Sequence, residues 1–248
     1  MTRRFCATVF VLAATAFVAL GQDAVNPATK AAPRDEKWMA RHESFVMRAK
    51  AGGVDVLFLG DSITQGWEGN GKAAWKEHFE PLTAANFGIG GDRTEHVLWR
   101  ITEGKELEGI NPKVAVVMIG TNNSGANSAD QIAEGVTAIV KELRRQRPET
   151  KVLLLAVFPR SEKAGKDLKD MPKIAAGELR PKIKAINDRI AKLDDGKAVK
   201  YLDIGEKFLG PDGSLAREVM PDYLHLSPKG YTIWAEAIKG PVAEMLKQ

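Results

Sequence analysis

The chain has a single cysteine, Cys6, no marked excess of charge of either sign, and few aromatic side chains, 7% of its 248 residues. Cys6 lies at the start of an apolar run, residues 5–20, which follows Arg3 and Arg4 and carries no charge. That pattern reads as a signal peptide, with cleavage expected after Gly21 and Gln22 left as the first residue. A membrane anchor needs about 20 apolar residues, and this run has 16. A lipoprotein would carry its cysteine just after the run rather than inside it. The exported chain, periplasmic or secreted, is therefore expected to hold no thiol, which excludes disulfides and thiolate metal sites as its source of stability. No second long apolar run follows, so no stable membrane insertion is expected after cleavage.

The balance of charge excludes another class. Without Arg3 and Arg4, 34 basic residues face 32 acidic ones, and the two signs are interspersed with no interleaved aromatics. A nucleic-acid partner is not expected. With 44% hydrophobic and 27% charged residues, the composition is that of an ordinary globular protein long enough for one substantial domain.

Residues 22–34 (QDAVNPATKAAPR) are small and polar with two prolines and read as a flexible leader; the domain, 35–248, begins near Asp35. From there short apolar runs alternate with longer amphipathic ones, the sign of parallel βαβ units. The runs are 54–59 (VDVLFL), 84–87 (AANF), 114–119 (VAVVMI), 152–158 (VLLLAVF) and 199–202 (VKYL). Three are almost wholly apolar, as strands covered on both faces should be. Ile132, Val136, Ile139, Val140 and Leu143 recur at helical spacing, as do Ile183, Ile186, Ile190 and Leu193. Trp38, Met39, Phe45 and Val46 mark a helix before the first strand. Ser227 and Pro228 supply the cap and first turn of a last one, which Gly240-Pro241 should kink or interrupt. The expected fold is a single three-layer α/β/α domain with about five parallel strands.

Ligands of open parallel sheets collect where the loops leave the carboxyl ends of the strands, which is where the chemistry should lie. After the first run comes Gly60-Asp61-Ser62, where Ser62 is either a nucleophile or a helix N-cap. After the second comes Gly88-Ile89-Gly90-Gly91-Asp92, whose bare N–H groups can bind an oxyanion; its spacing is not that of a dinucleotide loop. After the third, Asn122 offers an amide donor, although Asn in a loop is usually a turn former. Near the C-terminus Asp222 precedes His225 by three residues, near enough for the carboxylate to orient the imidazole. The same pair could be two metal ligands, but no further ligand residues flank the candidate loops at suitable spacing. His42, His78 and His96 fall in helix-like stretches and read as surface or packing residues.

These four blocks resemble those of the SGNH (GDSL-like) hydrolases, in the branch that includes the catalytic subunits of intracellular platelet-activating-factor acetylhydrolase and many bacterial proteins. The match runs from about Val54 to the end, through GDS, NFGIGGDRTEHVLWRI, GTNN and DYLHLSPKGY. The resemblance implies a flavodoxin-like fold, a Ser62–His225–Asp222 triad, and an oxyanion hole formed by the Ser62 and Gly91 N–H groups and the Asn122 side chain. It implies acyl transfer through an acyl-enzyme, with no metal or organic cofactor. Two departures stand out. Asn123 stands where other branches carry Asp, although the acetylhydrolase-like branch also has Asn, and the segment 160–180 (RSEKAGKDLKDMPKIAAGELR) looks longer than its counterpart, so it borders the crevice or is a solvated loop. The expected substrate is a small acyl ester, an acetylated carbohydrate first. A lysophospholipase, thioesterase or other lipid esterase is the alternative, and a non-catalytic carbohydrate-binding protein is a third reading. A homodimer is compatible with the sequence.

Overall fold

The computed structural model describes residues 25–161, 173–174 and 179–247. Five parallel strands form one sheet: β1 (Val56–Gly60), β2 (Ala84–Gly88), β3 (Val114–Met118), β4 (Lys151–Leu155) and β6 (Val199–Leu202), in the order β2-β1-β3-β4-β6. The order reverses between β1 and β3, the switch point at which open α/β sheets leave a crevice. Two further strands, β5 (Lys173–Ile174) and β7 (Leu215–Ala216), pair antiparallel outside this sheet. They are two residues each, too short to leave a periodic signature.

Both faces of the sheet are covered, which is why the central strands β1 and β3 are buried throughout. Leu57, Leu59, Ala115, Val117, Val152 and Leu154 point to one face. There they meet residues of α1 (Glu36–Lys50), α4 (Thr94–Ile101), α5 (Ala129–Gln146) and α6 (Leu179–Ile190). Val56, Phe58, Val116, Met118, Leu153 and Leu155 point to the other, against Ile63 of α2 (Ser62–Gln65), Ala74 of α3 (Lys72–His78) and Trp234, Ile238 and Val242 of α7 (Pro228–Lys247). This alternation with period two is the strand geometry acting on runs that are apolar at every position.

The helices start where short polar side chains can hold orphan N–H groups. Asp35 accepts from Trp38 N–H at 3.0 Å. Ser128 and Gln131 form a reciprocal capping box, and Ser227 Oγ accepts from Gly230 N–H at 3.1 Å. The α7 helix is not interrupted at Gly240-Pro241: it continues to Lys247, with Pro241 inside it. One backbone bond is lost there, but Ile238, Val242 and Met245 are buried on the same core on either side.

Two other expectations change. The strand expected over 152–158 ends at Leu155, because β6 ends opposite it at Leu202. Beyond that point the Asn187 side chain of α6 pairs with both backbone groups of Val157, at 2.9 and 3.0 Å. The leader expected over 22–34 is, from Val25 onward, laid down on the domain. Ala28 is fully buried and its carbonyl accepts from Thr94 Oγ, Asn26 bonds Gln131 and Glu134, and Arg34 reaches Gly90 and Asp92. The small polar composition suggests a flexible leader, but the partners of these residues lie on distant helices. The expected signal peptide lies outside the described residues, as does most of the 160–180 segment. Among the described residues, no helix is long and apolar enough to cross a membrane.

Candidate active site

Strand register brings the first three blocks to one edge. Gly60, Gly88 and Met118 stand opposite one another at the ends of β1, β2 and β3, so the loops bearing Ser62, Gly91 and Asn122 leave from neighbouring strands. Close approach requires glycine here: a Cβ on Gly88 would lie 2.2 Å from Gln65 N, and one on Gly60 would lie 2.4 Å from the Met118 carbonyl oxygen.

Ser62 is not the helix cap. Asp61 takes that role, its Oδ1 accepting from Ile63 N–H at 2.9 Å, and Ser62 becomes the first residue of α2. Its N–H then has no intrahelical acceptor, and its hydroxyl is left for another partner. That partner is His225, whose Nε2 lies 2.9 Å from Ser62 Oγ. On the other side of the ring, Nδ1 lies 2.7 Å from Asp222 Oδ2. The Asp222 carboxylate is itself held, because its Oδ1 accepts from the N–H groups of Leu224 and His225 at 3.0 and 2.7 Å. Buried Tyr223 between them takes φ 60°, a left-handed conformation that costs a bulky residue about 1 to 3 kcal/mol. The turn it makes lets Asp222 reach the ring three residues on. The loop is tied to the serine side by Tyr231 Oη, which donates to the Ile63 carbonyl at 2.7 Å, and by Asn70, which donates to the Leu226 carbonyl.

The electrostatics follow. The Asp222 hydrogen bond raises the imidazole pKa above its usual value, partial burial working against it. Partial burial of Asp222 would lift its own pKa, but the bonds from the His225 ring and from the backbone outweigh it and leave the carboxyl at about 2. An ionised Asp222 beside a readily protonated imidazole is the arrangement a general base requires.

The oxyanion candidates lie beside this chain of groups. Gly91 sits at φ 78°, and a Cβ on Gly90 would lie 3.7 Å from Ser62 Cβ. Gln65 Oε1 accepts from Gly90 N–H at 2.7 Å, and Asn122 Nδ2 donates to the Asp92 carbonyl at 2.9 Å. Asn123, the departure noted in the sequence, is fully buried and accepts from Thr94 N–H while donating to Glu95 and Asn127. An Asp there has no N–H to give Glu95.

A buried network that sequence reasoning missed holds the loop of Gly90, Gly91 and Asp92. Asp92, fully buried, accepts from Arg100 Nη1 at 2.8 Å, Trp38 Nε1 at 2.6 Å and Arg34 Nη1 at 3.2 Å. Arg100, also fully buried, pairs in addition with Glu106, which bonds His42 Nδ1 at 2.7 Å. The one available signal was Arg100 on the same helical stripe as Val97 and Ile101, a charge on an apolar face. Of the other histidines, His96 caps α4 through Arg93 N–H and His78 lies beside Glu236. Among the described residues, no three His, Cys, Asp or Glu side chains are grouped as metal ligands would be. A cavity of about 720 Å³ between α6 and the ends of β4 and β6 contains none of the triad residues.

Residues 58–233 match the model of the GDSL-like lipase/acylhydrolase family. The chain belongs to that family. This acylhydrolase is 38% identical over 229 residues to platelet-activating factor acetylhydrolase IB subunit alpha1 of Homo sapiens, covering 90% of this chain and 92% of that one. To the alpha2 subunit of Rattus norvegicus it is 38% identical over 215 residues, covering 86% and 87%. Solved structures with the same fold include a GDSL-like lipase from Bacteroides thetaiotaomicron (TM-score 0.61, 21% identity, 84% of this chain and 96% of that one). An acetyl xylan esterase is also similar in fold (TM-score 0.57, 24% identity, 75% and 98%). As an acylhydrolase of this family, the protein is a hydrolase of ester bonds.

Asp61 adds a stability prediction. Burial pushes its carboxyl up to about 7, with Asp92 adding to the effect and the Ile63 N–H, His225 and Arg160 opposing it; its Oδ2 has no hydrogen-bond partner among the described residues. Between its unfolded pKa near 4 and about 7 the native state holds a proton that the unfolded state has lost. This contribution to stability is therefore full below pH 4 and gone above pH 7, a swing of a few kcal/mol at about 1.4 kcal/mol per pKa unit. Asp61→Asn mimics the neutral carboxyl, so its gain in stability over the parent should grow from pH 5 to pH 8. Urea denaturation at both pH values tests this, and an equal effect at both would count against it.

Proposed function

We propose that this acylhydrolase is a serine esterase acting on small acyl esters, chiefly acetyl, with Ser62 as nucleophile, His225 as general base and Asp222 as its orienting carboxylate. The observation that carries the reading is the unbroken sequence of contacts, Ser62 Oγ to His225 Nε2 at 2.9 Å and His225 Nδ1 to Asp222 at 2.7 Å. His225 takes the hydroxyl proton as Ser62 Oγ bonds to the ester carbonyl carbon, and the N–H groups of Ser62 and Gly91 with the Asn122 amide meet the developing oxyanion. The C–O bond to the alcohol then breaks as His225 returns the proton to the leaving oxygen. Water, deprotonated by His225, hydrolyses the acyl-enzyme and restores Ser62.

The acetyl preference draws on the names of the relatives, one set acting on platelet-activating factor and one structural neighbour on acetyl xylan. We place the enzyme outside the cytoplasm on the charged and apolar pattern of residues 3–20. That location favours an acetylated carbohydrate over platelet-activating factor or a related lipid. Hydrolysis of p-nitrophenyl esters from C2 to C12 tests the acyl class, and a maximum at C8 or longer would rule out a deacetylase. Acetate release from acetylated xylan and from platelet-activating factor then separates the alcohols.

Asn122→Ala should lower kcat by about 10²- to 10³-fold with little change in KM, since charge develops on the carbonyl oxygen only in the transition state. A loss carried by KM would instead assign Asn122 to ground-state binding.

A further inference from the structure

One charged group in the crevice has no role in the proposed reaction. Arg160 is the fifth residue after β4 and is half-buried. The loop that carries it is joined to the His225 loop by the Ser161 N–H, which donates to the Tyr223 carbonyl at 2.9 Å. Its guanidinium reaches the other way, Nη1 lying 3.5 Å from Oγ of Thr121, the neighbour of Asn122. Arg160 thus stands between the loop of the oxyanion amide and the loop of the base.

What the side chain lacks, among the described residues, is an anion. Nε donates to the Ser161 carbonyl at 3.0 Å and Nη1 makes only the long contact with Thr121. Asp61 and Asp222 are near enough to favour its charge, but Asp222 is taken up by His225, and among the described residues Arg160 makes no ion pair. Burial acts against the charge. Fully buried Arg100 has two carboxylates and half-buried Arg34, beside the same crevice, has one. A guanidinium carries five N–H donors in a planar fork that fits a carboxylate or a phosphate, and most of this fork has no partner among the described residues.

We infer that Arg160 is a specificity residue that receives an anionic group, carboxylate or phosphate, on the alcohol portion of the substrate. The inference rests on the esterase reading above: an acetyl group has no charge, so the anion must belong to the alcohol. A carboxylate would come from an acidic sugar and a phosphate from a phosphoester such as a phosphoglyceride.

The test uses three acetyl esters of one phenol framework: phenyl acetate, 4-acetoxybenzoate and 4-acetoxyphenyl phosphate, with the parent enzyme, Arg160→Gln and Arg160→Lys. Arg160→Gln should lower kcat/KM for at least one charged ester about ten- to a hundredfold more than for phenyl acetate, mostly through KM, with Arg160→Lys intermediate. Comparing variant with parent on each ester cancels differences in leaving-group reactivity and any change in the pKa of His225. The charged ester that shows the larger selective loss identifies the carboxylate or the phosphate source. Equal losses on all three esters would make Arg160 a structural support for Thr121 and overturn the inference. No hydrolysis of phenyl acetate by the parent enzyme would instead overturn the esterase reading, and this inference with it.

Discussion

Ser62→Ala is expected to reduce kcat by about 10⁵- to 10⁶-fold while KM stays within a few-fold, because the variant keeps the oxyanion donors and the crevice but has no atom to form the acyl-enzyme. The fold should tolerate the change. Asp61, not Ser62, caps α2, and among the described residues the only side-chain bond lost is the one to His225, worth about 1 kcal/mol in a partly solvated site. An unchanged melting temperature with the activity gone separates a missing nucleophile from a damaged structure. Incubation of the parent enzyme with an organofluorophosphate, followed by peptide mass analysis, should place the label on Ser62. Activity in Ser62→Ala above about 1% of the parent would mean that another group opens the ester.

Asp222→Asn is expected to cost about 10⁴-fold in kcat, with a diagnostic change in pH dependence. The carboxylate accepts three bonds in the structure, from the His225 ring and from the N–H groups of Leu224 and His225. The two backbone N–H groups hold an amide with its oxygen toward them and its N–H₂ toward Nδ1, so the ring no longer has Nδ1 protonated and Nε2 free. In the parent the Asp222 bond lifts the pKa of His225 above its usual value near 6.5. The base works only when neutral, so the acid limb of kcat/KM should lie above pH 6.5, with activity falling as pH falls through it. Removing the main cause of the rise should move that limb to lower pH in Asp222→Asn even as the plateau drops. A loss under tenfold with the limb unmoved would show that Asp222 does not orient the base.

Arg100 shows where reading a sequence stops. Its position on the stripe of α4 was visible, but Asp92 eight residues before it and Glu106 six after gave no sign of closing on it. The same holds for Arg34, at the end of a stretch whose composition suggests a flexible leader, which instead clamps the loop of Gly90. Periodicity reports which face of an element is apolar. It does not report which buried charges on different elements meet, since that depends on packing angles and register.

The contrast is sharpest at Ser62. The sequence by itself determined the parallel α/β sheet, through apolar runs at strand length alternating with amphipathic ones, and it determined that Ser62, Gly91 and Asn122 follow the ends of three strands. Local chemistry sufficed there, because strand and helix periods and turn residues act over a few positions. Only the tertiary structure decided that Asp61 caps α2 and so leaves the Ser62 hydroxyl to His225, 163 positions away. It likewise decided that Arg160 stands between the loops of Asn122 and His225, with no anion paired to it among the described residues. Such pairings are set by strand order and by helices packed across the sheet, and distance along the chain carries no information about them.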